Sequence, residues 1–226
     1  MANQIKQKTS QVKVKGVADI VFCFDCTGSM TEIIKGVKDN VNKLVDGFKT
    51  YTDLDWRARV MGYRDFEVDE EYLINDRPFV TTEAALKDQI AGMEALDGSG
   101  GDDPESTLDA IWYAAMKTDW RGDCHKVVIV FTDDEPKGVN DKTLADIPKA
   151  DADLEVLSQE LDVQHIKLFL WGKKSPIYDA LAMVPRADIV QMENPEEDVN
   201  TMNFDKIMET IGKTISQLVS SGVVKE

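Results

Sequence analysis

The chain has 226 residues, of which 42% are hydrophobic and 30% charged, a balance that fits one large self-folding domain and excludes wholesale disorder. Lys and Arg number 26 against 42 Asp and Glu, a formal net charge of −16, so the chain repels nucleic acid and anionic lipid surfaces. The start MANQIKQKTS lacks the apolar core of a signal peptide, no stretch approaches the roughly 20 apolar residues that span a bilayer, and Cys23, Cys26 and Cys124 are too few and odd in number for a disulfide framework. A cytoplasmic protein is expected.

In chain order, residues 1–16 read as a flexible or edge segment of a single domain spanning 1–226. Ala18–Asp25 (ADIVFCFD) is a buried strand, rich in β-branched and aromatic residues. Met30, Ile33, Ile34, Val37, Val41, Leu44, Val45 and Phe48 then recur at helical spacing. Arg57–Tyr63 is a strand, and Leu86, Ile90 and Met93 mark a helix. Pro104 can occupy the first turn of another helix, which carries Leu108, Ile111 and Ala115 inward. Lys126–Thr132 (KVVIVFT) is the second clear buried strand. Residues 137–162 are polar and read as containing one long exposed helix. Ile166–Trp171 and Asp188–Met192 are further strands, and a last helix runs from Phe204 through Val219. Alternation of short apolar strands with longer helical segments predicts an α/β fold, a doubly wound, mostly parallel sheet of about six strands flanked by helices.

Ligands of such sheets gather at the carboxyl ends of the strands. Three places there are rich in oxygen donors: Asp25-Cys26-Thr27-Gly28-Ser29, the loop from Gly98 to Glu105, and Thr132-Asp133-Asp134. Each alone has a plain explanation. Thr27 or Ser29 could cap a helix, Asp133 could sit in a turn, and Glu105 could favour a helix dipole. Three acidic loops at one edge of one sheet point instead to a hard divalent cation, which takes oxygen ligands. Hydroxyls in place of further carboxylates leave the ion electrophilic, so that an outside anion can complete its coordination.

The run IVFCFDCTGSM resembles the first element of the metal-ion-dependent adhesion site of von Willebrand factor type A domains, a hydrophobic strand followed by D-x-[ST]-x-S. That resemblance implies that Asp25, Thr27 and Ser29 are metal ligands. VVIVFTDDE is similar to the family's later strand ending in Thr-Asp, which implies Asp133 as the distal carboxylate. Many members place a metal-binding Thr in the intervening loop. Here GGDDPE departs from that pattern and resembles the D-x-P-E version of integrin β-subunit I-like domains and many bacterial A domains, which implies Glu105 as ligand with Asp102 close by. The implied cation is Mg²⁺, or Mn²⁺ or Ca²⁺. The implied function is protein binding without catalysis, with an Asp or Glu of the partner completing the metal sphere. The same resemblance raises a second ion, shared by Asp65, Asp102 and Glu105; alternatively Arg64 or another basic residue neutralises Asp65.

The competing enzyme reading is phosphoryl transfer of the haloacid-dehalogenase kind. There Asp25 would be the nucleophile in a loop similar to D-K-T-G-T, and Asp133-Asp134 would hold Mg²⁺. It leaves the GGDDPE loop unexplained. A zinc site from Cys23, Cys26, Cys124 and His125 is improbable, because Cys26 follows one parallel strand while Cys124 precedes another. His125 and His165 fall at strand starts, which leaves no general base near the proposed site. Trp56, Trp112, Trp120 and Trp171 are expected in core or rim packing.

Overall fold

A computed structural model describes residues 16–40, 54–66, 73–74, 76–95, 104–138, 153–195 and 213. The expected helical stripe beyond residue 40, the last helix from Phe204, the segment before Gly16 and Asp102 lie outside the described residues.

Six strands form one sheet: β1 (Gly16–Asp25), β2 (Leu54–Tyr63), β3 (Leu73–Ile74), β4 (His125–Phe131), β5 (Ile166–Lys173) and β6 (Ala187–Met192). Their order across the sheet is β3-β2-β1-β4-β5-β6. Five are parallel, and only β3 pairs antiparallel, against the end of β2. The helices are α1 (residues 31–40), which follows a 3₁₀ turn at Gly28–Met30, then α2 (Glu83–Ala91), α3 (Thr107–Met116), α4 (Asp153–Val163) and α5 (Pro176–Leu181).

Side chains alternate across a strand, and both faces here are covered. Ile20, Phe22 and Phe24 of β1 pack with Val127, Ile129 and Phe131 of β4 and with Ile33, Val37, Leu86 and Ile90 of α1 and α2. Val21 and Cys23 point the other way, to Val128 and Val130 of β4 and to Leu108, Ile111, Leu157, Leu161 and Leu181 of α3, α4 and α5. Each fully buried aliphatic side chain contributes about 1.5–3 kcal/mol. The unbroken apolar sequences of β1 and β4 follow from this two-sided burial. Register sets Phe24 beside Phe131, and Phe131 beside Trp171. Their rings stack with centroids 5.3 and 5.4 Å apart, an aromatic row just below the carboxyl edge.

The chain winds from β1 outward to β2 and later returns to β4 on the other side of β1. The loops after β1 and β4 therefore part at the sheet's switch point, where a crevice opens. Asp25 ends β1 there, and Thr132 and Asp133 follow β4.

Two expectations need correction. Pro104 is not in a helical first turn: α3 starts at Thr107, Pro104 lies in a bend, and Glu105 forms a parallel bridge to Pro136. Backbone bonds from Glu105 N to Glu135 O and from Lys137 N to Glu105 O, both 2.8 Å, hold it that way. The helix expected within 137–162 is also less exposed than its composition implies, because Leu157 and Leu161 of α4 are wholly buried against the sheet.

Candidate metal centre

Asp25 is wholly buried at the end of β1. Its Oδ1 accepts hydrogen bonds from Thr27 N at 3.0 Å and Thr27 Oγ1 at 2.7 Å, and its Oδ2 accepts from Thr132 Oγ1 at 2.9 Å. Thr27 precedes the 3₁₀ turn in an extended conformation and makes no side-chain capping bond. Its hydroxyl serves Asp25 and not the helix start, so the capping explanation of Thr27 does not hold. Ser29 is exposed on the turn, with its Oγ 3.4 Å from Thr27 Oγ1.

Glu105 lies just before α3 and is only 3% exposed. Its Oε2 is buried with no hydrogen-bond partner among the described residues. Burial, followed by the charges of Asp25, Asp65, Asp134 and Asp133, pushes its carboxyl from 4.5 up to about 9. Asp25 is pushed up to about 7, first by burial and then by Asp133, against the opposing hydrogen bonds from Thr27 and Thr132. Asp133 is nearly buried directly after Thr132, whose N–H donates to Trp171 O at 3.0 Å. Asp25, Glu105 and Asp133 thus share one electrostatic neighbourhood at the switch point. Among the described residues no three His, Cys, Asp or Glu side chains form a closed metal cage by themselves; what converges is a mixture of hydroxyls and carboxylates.

The flanking acids are paired. Lys137 Nζ sits 3.0 and 2.9 Å from the two oxygens of Asp65, which also accepts from Ser106 Oγ at 3.0 Å. A basic residue other than Arg64, Lys137, therefore pairs with Asp65. Lys173 Nζ binds Asp134 Oδ1 at 2.9 Å. Below the edge, Tyr63 OH is 2.9 Å from Thr107 Oγ1, which reaches Thr132 Oγ1 at 3.5 Å.

Sequence reasoning did not assign Thr132, Ser106, Thr107 or Lys137. Thr132 had a signal, since it adjoins Asp133 in an oxygen-rich run. Lys137 had none, because its partner lies far away in sequence. Cys23 is a core residue, and Cys124 and His125 stand at the amino end of β4, across the sheet from Cys26. The nucleophile reading of Asp25 finds little room in this geometry, with the carboxylate buried and both oxygens accepting hydrogen bonds.

The sequence profile of the von Willebrand factor type A domain matches residues 19–198. The chain belongs to that family. As a von Willebrand factor type A (vWA) domain, it is 27% identical over 145 residues to the alpha-protein kinase vwkA of Dictyostelium discoideum, covering 63% of this chain and 22% of the kinase. It thus spans about a fifth of the length of that curated relative. Among solved structures it is similar to proximal thread matrix protein 1 of the mussel byssus with a zinc-occupied MIDAS motif. That match has a TM-score of 0.61 at 18% identity and covers 89% of this chain and 46% of the other. It is also similar to an aerotolerance-related membrane protein of Bacteroides fragilis, with a TM-score of 0.55 at 12% identity over 90% of this chain and 99% of that one. At these identities the likeness is one of fold. Among the described residues no helix is long and apolar enough to cross a membrane.

Proposed function

We propose that this vWA domain is a divalent-cation-dependent binding module whose metal ligands are Asp25, Thr27, Ser29, Glu105 and Asp133, with Asp102 as support. The observation that carries the reading is Glu105 Oε2, a buried carboxylate oxygen without a hydrogen bond at the edge where the Asp25-x-Thr27-x-Ser29 turn and Asp133 meet. A buried charge in that state is costly unless a cation or donor meets it. The donor set consists of hydroxyl and carboxylate oxygens, which suits a hard ion such as Mg²⁺, with Mn²⁺ or Ca²⁺ as alternatives. The zinc-occupied MIDAS motif of the mussel relative supports the same reading.

Bound there, the ion would supply an electrophilic coordination position for a partner's Asp or Glu. The protein's own part is to hold the oxygens in place and to keep the flanking acids, Asp65 and Asp134, paired with lysines. With a net charge of −16, the chain repels an acidic partner unless a cation bridges the two. Binding, not turnover, is the function this supports, because Asp25 is buried and both histidines lie at the amino ends of strands. The free thiols of Cys23, Cys26 and Cys124 agree with a reducing compartment such as the cytoplasm.

The test is thermal unfolding in MgCl₂ or MnCl₂ against EDTA. A ligand that binds only the folded state stabilises by about 2.7 kcal/mol at a hundredfold excess over Kd. Asp25→Ala and Asp133→Ala are each expected to remove that gain. Metal-dependent shifts that survive both substitutions would place the site elsewhere.

A further inference from the structure

Gly122 and Asp123 form an exposed turn in the connection from α3 to β4, at the amino end of the sheet. The chain on both sides of it is pinned. Arg121 N and Nε donate to the two oxygens of Asp19 at 2.8 and 2.7 Å, its Nη2 donates to Ala18 O and Asp55 O, and Cys124 Sγ donates to Arg121 O at 3.1 Å. At the tip, Asp123 takes the left-handed conformation, with φ at 54°. Glycine adopts that backbone freely, and aspartate reaches it with help from a local side-chain hydrogen bond. Yet the glycine of this turn stands one position earlier, and the Asp123 carboxylate makes no hydrogen bond or ion pair among the described residues. Exposed acids such as Glu32, Asp179 and Glu193 instead meet Lys35, Gln191 and Lys174. A Cβ at Gly122 would find nothing within 4 Å, so the turn stands clear of the surrounding fold. It presents, on a backbone already fixed, a carboxylate that the fold itself does not use.

We propose that Asp123 of one copy is the outside carboxylate that completes the metal sphere of a second copy, so that this domain joins head to tail. The inference rests on the metal reading given above and names the partner of that site. Asp123 cannot serve its own ion, because the seven residues of β4, at about 3.3 Å each, set it about 20 Å from Thr132 and Asp133 along the sheet. Only another molecule's site is open to it. A turn whose backbone is fixed in advance loses little freedom on docking. Donor and acceptor occupy opposite ends of one molecule, so the contact is heterologous and propagates as an open chain unless a rotation closes it. Each copy carries a net charge of −16, so two copies repel each other and assembly requires the cation between them.

Sedimentation velocity of the full chain over a concentration series, in MgCl₂ and in EDTA, tests this. The wild type is expected to shift from monomer to larger species as its concentration rises in MgCl₂, and to return to monomer in EDTA. Asp123→Asn, which keeps the left-handed preference without the charge, is expected to lose that shift, whereas Asp119→Asn, at the same end of the sheet, keeps it. Asp25→Ala, which lacks the receiving site, is expected to stay monomeric; should circular dichroism show it unfolded, Ser29→Ala at an exposed position takes its place. Mixed together, Asp123→Asn and Asp25→Ala are expected to form a dimer and nothing longer, since each brings the half that the other lacks. A wild type that stays monomeric in MgCl₂, although the ion raises its melting temperature, overturns the inference and leaves the metal reading standing. Assembly that survives EDTA or Asp123→Asn, or that is lost equally in Asp119→Asn, overturns it as well, as does a mixture that remains monomeric. A melting temperature that neither MgCl₂ nor MnCl₂ changes overturns the metal reading itself, and the inference with it.

Discussion

Replacing Glu105 with Gln is expected to change the protein's stability in opposite directions with and without metal. In the metal-free chain the Glu105 carboxyl stands at about 9 against an ordinary 4.5, because burial and then the neighbouring aspartates disfavour its charge. An acid raised in this way binds its proton more tightly in the folded than in the unfolded chain. Stability therefore falls as pH rises from 4.5 toward 9. At pH 7 that disadvantage amounts to about 3 kcal/mol. Gln keeps the shape, carries no charge to suppress and can donate to the carboxylates around it. For a chain of this size the difference corresponds to roughly 6–12 °C in Tm. Differential scanning calorimetry in EDTA should find Glu105→Gln more stable than wild type at pH 7, with the gap closing as pH falls toward 5. In saturating MgCl₂ the wild type should regain the lost stability and add the binding contribution, so the order reverses. A variant less stable than wild type in EDTA at pH 7, or a gap that does not change with pH, would refute the idea that this carboxylate is held against its preference.

Two other substitutions probe the frame around the site. A Cβ at Gly172 would fall 2.9 Å from Thr132 Cγ2 and 2.9 Å from Tyr178 Cε2. Gly172→Ala should therefore destabilise by about 1–3 kcal/mol and weaken Mg²⁺ binding through Thr132, the donor to Asp25 Oδ2; calorimetry showing neither effect would sink this coupling. At the other end of the sheet, burial opposes the charge of Asp19, but hydrogen bonds from Arg57 and Arg121 outweigh it and hold its carboxyl below 3.8. Its stabilisation is therefore present above pH 3.8 and lost as pH falls through the depressed value. Asp19→Ala should cost on the order of 3 kcal/mol at neutral pH without altering metal affinity, and urea titrations at pH 7 and pH 3 should show the difference shrinking in acid.

Local patterns were legible in the sequence, and long-range pairings were not. β1 and β4 stood out because helices bury both of their faces, which forces an unbroken apolar run. β3 left no trace, since two residues carry no periodicity and only the pairing of Leu73 with Tyr63 and of Ile74 with Gly62 defines them. The start of α3 was misplaced because proline at a helix start is a sound local rule, whereas here Glu105 and Pro136 pair across two loops. α4 was taken as exposed because residues 137–162 are polar, although Leu157 and Leu161 are spaced to share one inward face. The Asp25–Thr27 contact is local, with its hydrogen bonds spanning two residues, and the motif discloses it. The Asp65–Lys137 pair spans 72 residues, and no local rule reaches that far.

The lysine pairings also explain why hydroxyls stand at the centre of the site. Lys137 and Lys173 go to Asp65 and Asp134, the acids on the flanks. Asp25 instead receives its hydrogen bonds from an amide and the hydroxyls of Thr27 and Thr132. A hydroxyl that donates its only proton to a carboxylate keeps its lone pairs for another group, and its oxygen becomes more negative. Asp25 therefore also fixes and polarises Thr27 Oγ1, which in turn lies 3.4 Å from Ser29 Oγ. An ammonium at Asp25 would cancel that polarisation and place a positive charge where the divalent ion is proposed to bind. Keeping the lysines on the flanks preserves a negative, oxygen-lined edge at the switch point while still neutralising the acids that the ion does not need.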